Sequence, residues 1–179
     1  MRPKQVQVKL TIPFIGEISG TWEPEEAERR AAWELYVELV TRVAVVQLGP
    51  AEGLLREALS SLREVFGITR EILRRHGPAV APKTAEQEIS FGFLAVGVLN
   101  GALRPLLAVW HPTLAAYEAT RPEGLSPVEW ERQWSRAAEL RAELAATRGL
   151  LVEFARTLGE VAGAASLLPR EGPEQDDDV

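Results

Sequence analysis

The sequence predicts a mainly α-helical protein: an antiparallel four-helix bundle, its third helix broken by prolines, preceded by an N-terminal β-hairpin. Three observations carry this prediction. Residues 5–12 alternate between polar and apolar, residues 51–76 carry an apolar stripe of helical period, and residues 89–117 contain a single formal charge, Arg104. A segment that is apolar on every helical face has to be buried on nearly all sides. We therefore expect residues 89–117 to form the central helix of the bundle.

The composition limits the kinds of function that the protein can have. Its 179 residues carry a net charge of −6, which argues against general nucleic-acid binding. Cysteine is absent, so disulfides, thiolate catalysis and cysteine-ligated zinc are excluded. Histidine occurs only as His76 and His111, and neither completes the Glu-x-x-His pattern of di-iron bundles. We therefore predict no metal centre and no cofactor.

Two features predict a soluble, cytoplasmic protein. The N-terminus lacks the apolar core of a signal peptide. Residues 89–103 carry no charge, but they are fewer than the ~20 residues that a membrane-spanning helix needs. Continuing that helix would bring Arg104 and Pro105 into the membrane, so we expect no membrane span. The large excess of arginine over lysine favours a bacterial source.

Residues 1–22 are expected to form the β-hairpin. Apolar and polar residues alternate along residues 5–12, which places every second side chain on one face of a strand. After a turn, residues 17–22 return as a second strand with an apolar face of its own. Because an isolated hairpin is only marginally stable, this one is expected to pack on the helices or to pair with another chain.

Residues 23–168 are expected to form the helical bundle, in a single domain with the hairpin. The first helix begins near Glu23, where an acidic first turn suits the positive end of the helix, and it ends before Gly49 and Pro50. The second helix covers residues 51–76 and carries a wide apolar stripe on one side. Short connectors between the helices favour antiparallel neighbours.

The third helix begins near Ala85 and contains the apolar run, and Pro105 and Pro112 must kink or break it. Arg104 is expected to be buried there and to pair with a glutamate of a neighbouring helix, because an unpaired buried charge is very costly. Asn100 lies four residues earlier on the same face. Asn100 and Arg104 are therefore also candidates for a pocket that binds a small anionic ligand.

The fourth helix has the clearest start signal in the chain. Ser126 and Glu129 form a capping box, with proline at the first helical position. The helix is expected to continue to about Gly163, a length of roughly 55 Å. It therefore either bends at Gly149 or projects beyond the bundle. Residues 169–179 are predicted to form a disordered acidic tail.

Each histidine follows an arginine at a short spacing: Arg70 precedes His76, and Arg104 precedes His111. An arginine with a histidine four to six residues later is similar to the signature of the HEPN ribonucleases, which are helical bundles. The resemblance implies RNA scission near a dimer cleft. The histidine would serve as general acid or base and the arginine would stabilise charge on the phosphate. A histidine at a helix end also has a structural explanation, because it complements the helix dipole.

The function that the sequence favours is a non-catalytic helical interaction module: a homo-oligomer, an adaptor or an accessory subunit. Strand edges need a partner or a cover. We therefore expect the hairpin and the adjoining helical surface to bind a protein partner or a second copy, as a homodimer that pairs edge to edge. The connector or the acidic tail is the competing cover for the edge. A HEPN-like ribonuclease or a degenerate relative is the alternative function, and a sensor of small anionic ligands is the third.

Overall fold

The structure is a computed structural model that describes residues 3–42, 53–82 and 89–168. It is 67% helix and 9% strand, with an antiparallel two-stranded hairpin at the N-terminus, so the mainly helical fold with a hairpin is confirmed. The strands are β1 (Val6–Ile12) and β2 (Gly16–Trp22). The helices are α1 (Glu26–Val40), α2 (Leu55–His76), α3 (Phe91–Glu118), α4 (Pro127–Arg132) and α5 (Ala137–Ala162). The described residues form five helices, so a four-helix bundle is not confirmed.

The hairpin follows the alternation in the sequence. Its register runs from Val6 opposite Trp22 to Ile12 opposite Gly16. Alternate residues of β1 are at most 3% exposed, and the residues between them are exposed. The apolar face of β1 covers the helical core, and α5 is the helix that lies along this strand. The hairpin therefore gains from the helices the stability that it lacks alone.

Helices α1 and α2 pack antiparallel. Glu34 of α1 accepts a hydrogen bond from His76 at the end of α2, at 2.9 Å. Arg42, just beyond α1, pairs with Glu64 in the middle of α2. Residues 43–52, where the first helix was expected to end and the second to begin, lie outside the described residues, as do the expected start of the third helix near Ala85 and the tail at residues 169–179.

Of the two outcomes predicted for Pro105 and Pro112, a break in the third helix is wrong, because α3 runs through both prolines. A kink at either proline stays a prediction. Directly before Pro105, the residues Leu99–Leu103 form a π turn. There the N–H of Arg104 donates to the carbonyl of Leu99, five residues earlier. A widened turn of this kind absorbs the missing N–H of a proline without ending the helix.

The prediction of one continuous fourth helix is also wrong, because the chain turns between α4 and α5 rather than bending at Gly149. The capping box at Ser126 and Glu129 is confirmed, with both of its hydrogen bonds present. The turn has a packing cause. Trp134 is 8% exposed and lies against Trp110 and Tyr117 of α3, at ring distances of 6.0 and 5.4 Å. Burying this indole redirects the chain between the two helices.

The apolar run is not buried on all sides as expected. The helix α3 is long and apolar enough to cross a membrane, but 56% of its most apolar window is buried inside the protein. Phe93, Val96 and Val109 remain 43–53% exposed. The helix therefore has one side in the core and exposes several apolar residues to solvent.

Candidate functional site

Arg104 does not occupy the buried ion pair that the sequence predicts. It lies on the exposed side of α3, where its Nε donates to Asn100 Oδ1 at 3.1 Å. Its guanidinium lies 5.4 Å from the centre of the Phe66 ring of α2. Among the described residues no carboxylate pairs with it. The reason is that α3 is exposed to solvent at Asn100 and Arg104. The charge of Arg104 therefore stays solvated and needs no buried carboxylate.

The two histidines are not bonded to the arginines that precede them in the sequence. His76, at the end of α2, donates from Nε2 to the carboxylate of Glu34, whereas Arg70 is exposed. His111 contacts Arg56 of α2 rather than Arg104. Since residues six apart on a helix are separated by roughly 120° around its axis, Arg70 and His76 do not share a face. The structure thus brings neither predicted pair together as a bonded unit.

A polar cluster that the sequence did not predict joins α2 to α3. Arg56 donates from Nε and Nη2 to the carboxylate of Glu118, at 3.1 and 2.7 Å. Its Nη1 also donates to Nδ1 of His111 at 2.9 Å. A guanidinium has five N–H groups in a fixed plane, so it can hold a carboxylate and an imidazole at once. We call Arg56, His111 and Glu118 the seam cluster.

His111 is held as a neutral imidazole in the seam cluster. Arginine can only donate, so Nδ1 must be unprotonated and Nε2 carries the hydrogen. Nε2 is buried and has no hydrogen-bond partner among the described residues. Burial, followed by the charges of Arg56 and Arg63, lowers the pKa of His111; the backbone of Leu59 and the charge of Glu118 act in the opposite direction. The ring therefore resists protonation near neutral pH.

Because of the seam cluster, the free energy of unfolding should decrease as the pH falls. The pKa of His111 is lower in the folded than in the unfolded protein, so the unfolded state binds more protons below about pH 6.5. As the pH falls from 7.5 to 5.5, the free energy of unfolding of the unmodified protein should therefore decrease relative to that of His111→Gln. Urea titrations at both values measure it. A difference that stays constant, or moves the other way, would contradict the neutral ring.

Four aromatic side chains hold the end of α3 against the segment that contains α4. Tyr117 and Trp130 stack with ring centres 4.7 Å apart and planes 3° apart. They also exchange hydrogen bonds, from the Tyr117 hydroxyl to the Trp130 carbonyl at 2.7 Å and from Trp130 Nε1 to the Tyr117 carbonyl at 3.1 Å. Trp134 and Trp110 continue the cluster inward. Trp22, Trp110 and Trp134 are at most 8% exposed, so these three tryptophans lie in the core.

Glu131 of α4 caps the start of α2 from a distant part of the chain. The residue before α2, Leu54, has no side chain that can accept a hydrogen bond. Glu131 supplies the acceptor, taking the N–H of Leu55 at 2.8 Å, and it also pairs with Arg141 at 3.4 Å. Burial raises the pKa of Glu131 above its ordinary value, although the helix N–H and the arginine act against that shift. This carboxylate therefore ties α4 and α5 to the first turn of α2.

A solvent-exposed apolar surface lies on the opposite side of α3 from the core. It comprises Phe93 and Val96 of α3 together with Phe14 and Ile15 at the tip of the hairpin, all between 43% and 89% exposed. The tip reaches α3 closely: a Cβ placed on Gly97 or Gly101 would lie 3.7 or 2.9 Å from Ile15 Cδ1. We call these four residues the outer apolar surface.

The comparisons with known proteins add no relative. No family model, no curated protein and no solved structure matches the chain significantly. Among the described residues, no group of three histidine, aspartate or glutamate side chains is arranged to hold a metal ion.

The site residues that sequence reasoning missed had little local signal. Arg56 and Glu118 are 62 positions apart, and nothing in either local pattern distinguishes them from other surface charges. Glu131 follows the capping box of α4 but reaches across 76 positions to Leu55. The only local signal is Trp130, an aromatic residue directly after the capping box of α4.

Proposed function

We propose that the protein is a non-catalytic interaction module that associates with a second copy of itself through the outer apolar surface. The single observation that carries this proposal is Phe14. Its side chain is 89% exposed, and its backbone has a φ of +64°, which a bulky residue rarely adopts. Each feature is unfavourable in an isolated protein, and together they are typical of a residue kept for binding.

The pattern along α3 suits a two-fold contact with a second copy. Apolar Phe93 and Val96 lie near the start of α3, and polar Asn100 and Arg104 follow them along the helix. A two-fold axis through the outer apolar surface would place the apolar residues of one copy against those of the other. Asn100 and Arg104 would then lie at the polar rim of the contact.

The outer apolar surface would form the centre of such a contact, and the hairpin tip widens it at Gly97 and Gly101. Standard interfaces bury roughly 800 Å² of each partner, so polar side chains around these apolar residues would contribute the rest of the area. Phe14 and Ile15 lie in the turn of the hairpin, between its two strands. The proposed contact therefore uses the tip of the hairpin rather than its edge.

Phe14→Asn should separate association from stability. Asparagine tolerates the left-handed backbone, so the unfolding free energy should stay the same or rise by up to about 1 kcal/mol. The apolar side chain is lost, so the dimer dissociation constant should rise at least about tenfold. Sedimentation equilibrium over a range of concentrations measures the constant, and urea titration measures the stability.

Val96→Lys and Val128→Lys provide a matched pair for the same measurement. Both valines are exposed, at 43% and 42%, but only Val96 belongs to the outer apolar surface. Val96→Lys should weaken the dimer at least as much as Phe14→Asn, and Val128→Lys should leave it unchanged. A protein that is monomeric at high micromolar concentration, or equal effects of the two lysines, would show the proposal to be wrong.

A further inference from the structure

A second surface feature, a cavity of about 350 Å³, lies on the α2 side of α3, near the seam cluster. Its walls come from the start of α2, the end of α3 and the start of α4, and include Leu54, Leu114 and Pro127. A volume of this size is in the range of small-molecule sites. The cavity shares no residue with the outer apolar surface, so it needs an explanation independent of the proposed function.

One wall of the cavity is a preformed aromatic pair. Tyr117 and Trp130 line it, and their stacking and two mutual hydrogen bonds hold both rings in place. Because the rings are already ordered, a ligand that packs on them loses little side-chain entropy of the protein. Because Tyr117 and Trp130 are stacked on each other, an aromatic ligand would meet their ring edges or the outer face of Trp130, and aromatic rings pack favourably in both arrangements.

Some of the charged side chains around the cavity are already paired, and one is not. Glu118 is held by Arg56, and Glu131 is held by the N–H of Leu55 and by Arg141, so both carboxylates are already neutralised. Arg121 also lines the cavity, and among the described residues its side chain has no ion pair or hydrogen bond. The guanidinium of Arg121 is therefore the charge that is left for a ligand.

Arg56 also has N–H groups that neither Glu118 nor His111 uses and that are available to the same ligand. Of its five N–H groups, Nε, one on Nη1 and one on Nη2 are used by Glu118 and His111. One N–H on each terminal nitrogen remains, at a residue that lines the cavity. Two guanidinium groups with free donors beside an ordered aromatic pair can recognise an anion on an aromatic body.

We infer that this cavity is a binding site for a small aromatic monocarboxylate. The aromatic body packs on Tyr117 and Trp130, and the carboxylate accepts hydrogen bonds from Arg121 and from the spare donors of Arg56. The site differs in place and residues from the one that Asn100 and Arg104 suggested in the sequence, since neither of those lines this cavity.

Three probes of one shape test the inference: 2-naphthoate, neutral 2-naphthamide and cationic 2-naphthylmethylamine, each titrated calorimetrically into the full chain. The carboxylate should bind at least about tenfold more tightly than the amide. Its binding should shift the indole N–H signal of Trp130 in the nuclear magnetic resonance spectrum. Arg121→Gln should remove the preference for the carboxylate, whereas Arg132→Gln, an exposed arginine of α4 outside the cavity, should keep it.

Each other outcome overturns the inference. No binding of 2-naphthoate at about 1 mM means that the cavity is not such a site. Equal affinity for the amide, or equal losses in the two arginine variants, means that Arg121 does not recognise the carboxylate. Tighter binding of the amine would assign recognition to Glu118 and Glu131 instead. Phe14→Asn should bind 2-naphthoate unchanged, which keeps this result separate from the result on the dimer.

Discussion

Replacing Glu28 with alanine is expected to lower the free energy of unfolding by roughly 3–5 kcal/mol. This carboxylate is 1% exposed and accepts three hydrogen bonds. The donors are Trp22 Nε1 at 3.2 Å, the N–H of Phe91 at 3.0 Å and the N–H of Glu25 at 2.9 Å. One side chain therefore joins β2, the start of α1 and the start of α3. Without it, three donors lose their acceptor, two of them in buried contacts.

Glu28→Gln and Glu26→Ala are the controls for this experiment, measured by the same urea titrations. Glutamine keeps an acceptor for Trp22 and Phe91 but turns an N–H₂ group toward the N–H of Glu25, so an intermediate loss is expected. Glu26 is an exposed carboxylate in the same first turn, and its loss should cost no more than about 1 kcal/mol. Equal effects of Glu26→Ala and Glu28→Ala would exclude the proposed role of Glu28.

The same carboxylate should also respond to pH. Burial raises the pKa of Glu28 above 4.5, although its hydrogen bonds act against that shift. The folded state then holds the proton more tightly than the unfolded state, so stability is lost as the pH rises from 4.5 through the folded-state pKa. The advantage of the unmodified protein over Glu28→Gln should accordingly shrink as the pH rises from 4.5 to 7.

Gly101→Ala should destabilise the protein by roughly 1–3 kcal/mol, although alanine is the better helix former. A Cβ at this position would lie 2.5 Å from Ile12 Cγ2 and 2.7 Å from the carbonyl oxygen of Pro13. One of these neighbours is backbone, so the hairpin has to move away from α3. Hydrogen exchange should therefore show faster opening of β1 and β2 than of the helices.

Gly67→Ala is the matched control, because the chemical change is the same and the surroundings are open. Gly67 lies within α2, and a Cβ there would meet nothing within 4 Å. The variant should gain about 0.5–1 kcal/mol from helix propensity alone. The two glycine variants thus have opposite expected signs in one thermal or urea unfolding measurement. A stabilising Gly101→Ala would disprove the close packing of the hairpin on α3.

The local elements of this fold could be predicted from the sequence because each has a periodic or capping signal of its own. The alternation in β1 records which of its faces is buried. The apolar stripe of α2, which repeats at helical period, indicates which side of that helix is buried. The capping box at Ser126 and Glu129 determines where α4 begins. These signals depend on residues within a few positions of one another, so the sequence alone determines them.

The surroundings of Arg104, the turn before α5 and the candidate site depended on tertiary structure. A helix that is apolar all round does not indicate which of its sides is covered, so the burial of Arg104 was predicted wrongly. The turn before α5 depends on Trp134 meeting rings of α3, which no local pattern contains. Arg56, Glu118 and Glu131 find partners more than 60 positions away. Such pairs form only when packing brings the helices together, because the free energy that selects them is that of burial and desolvation in the assembled fold.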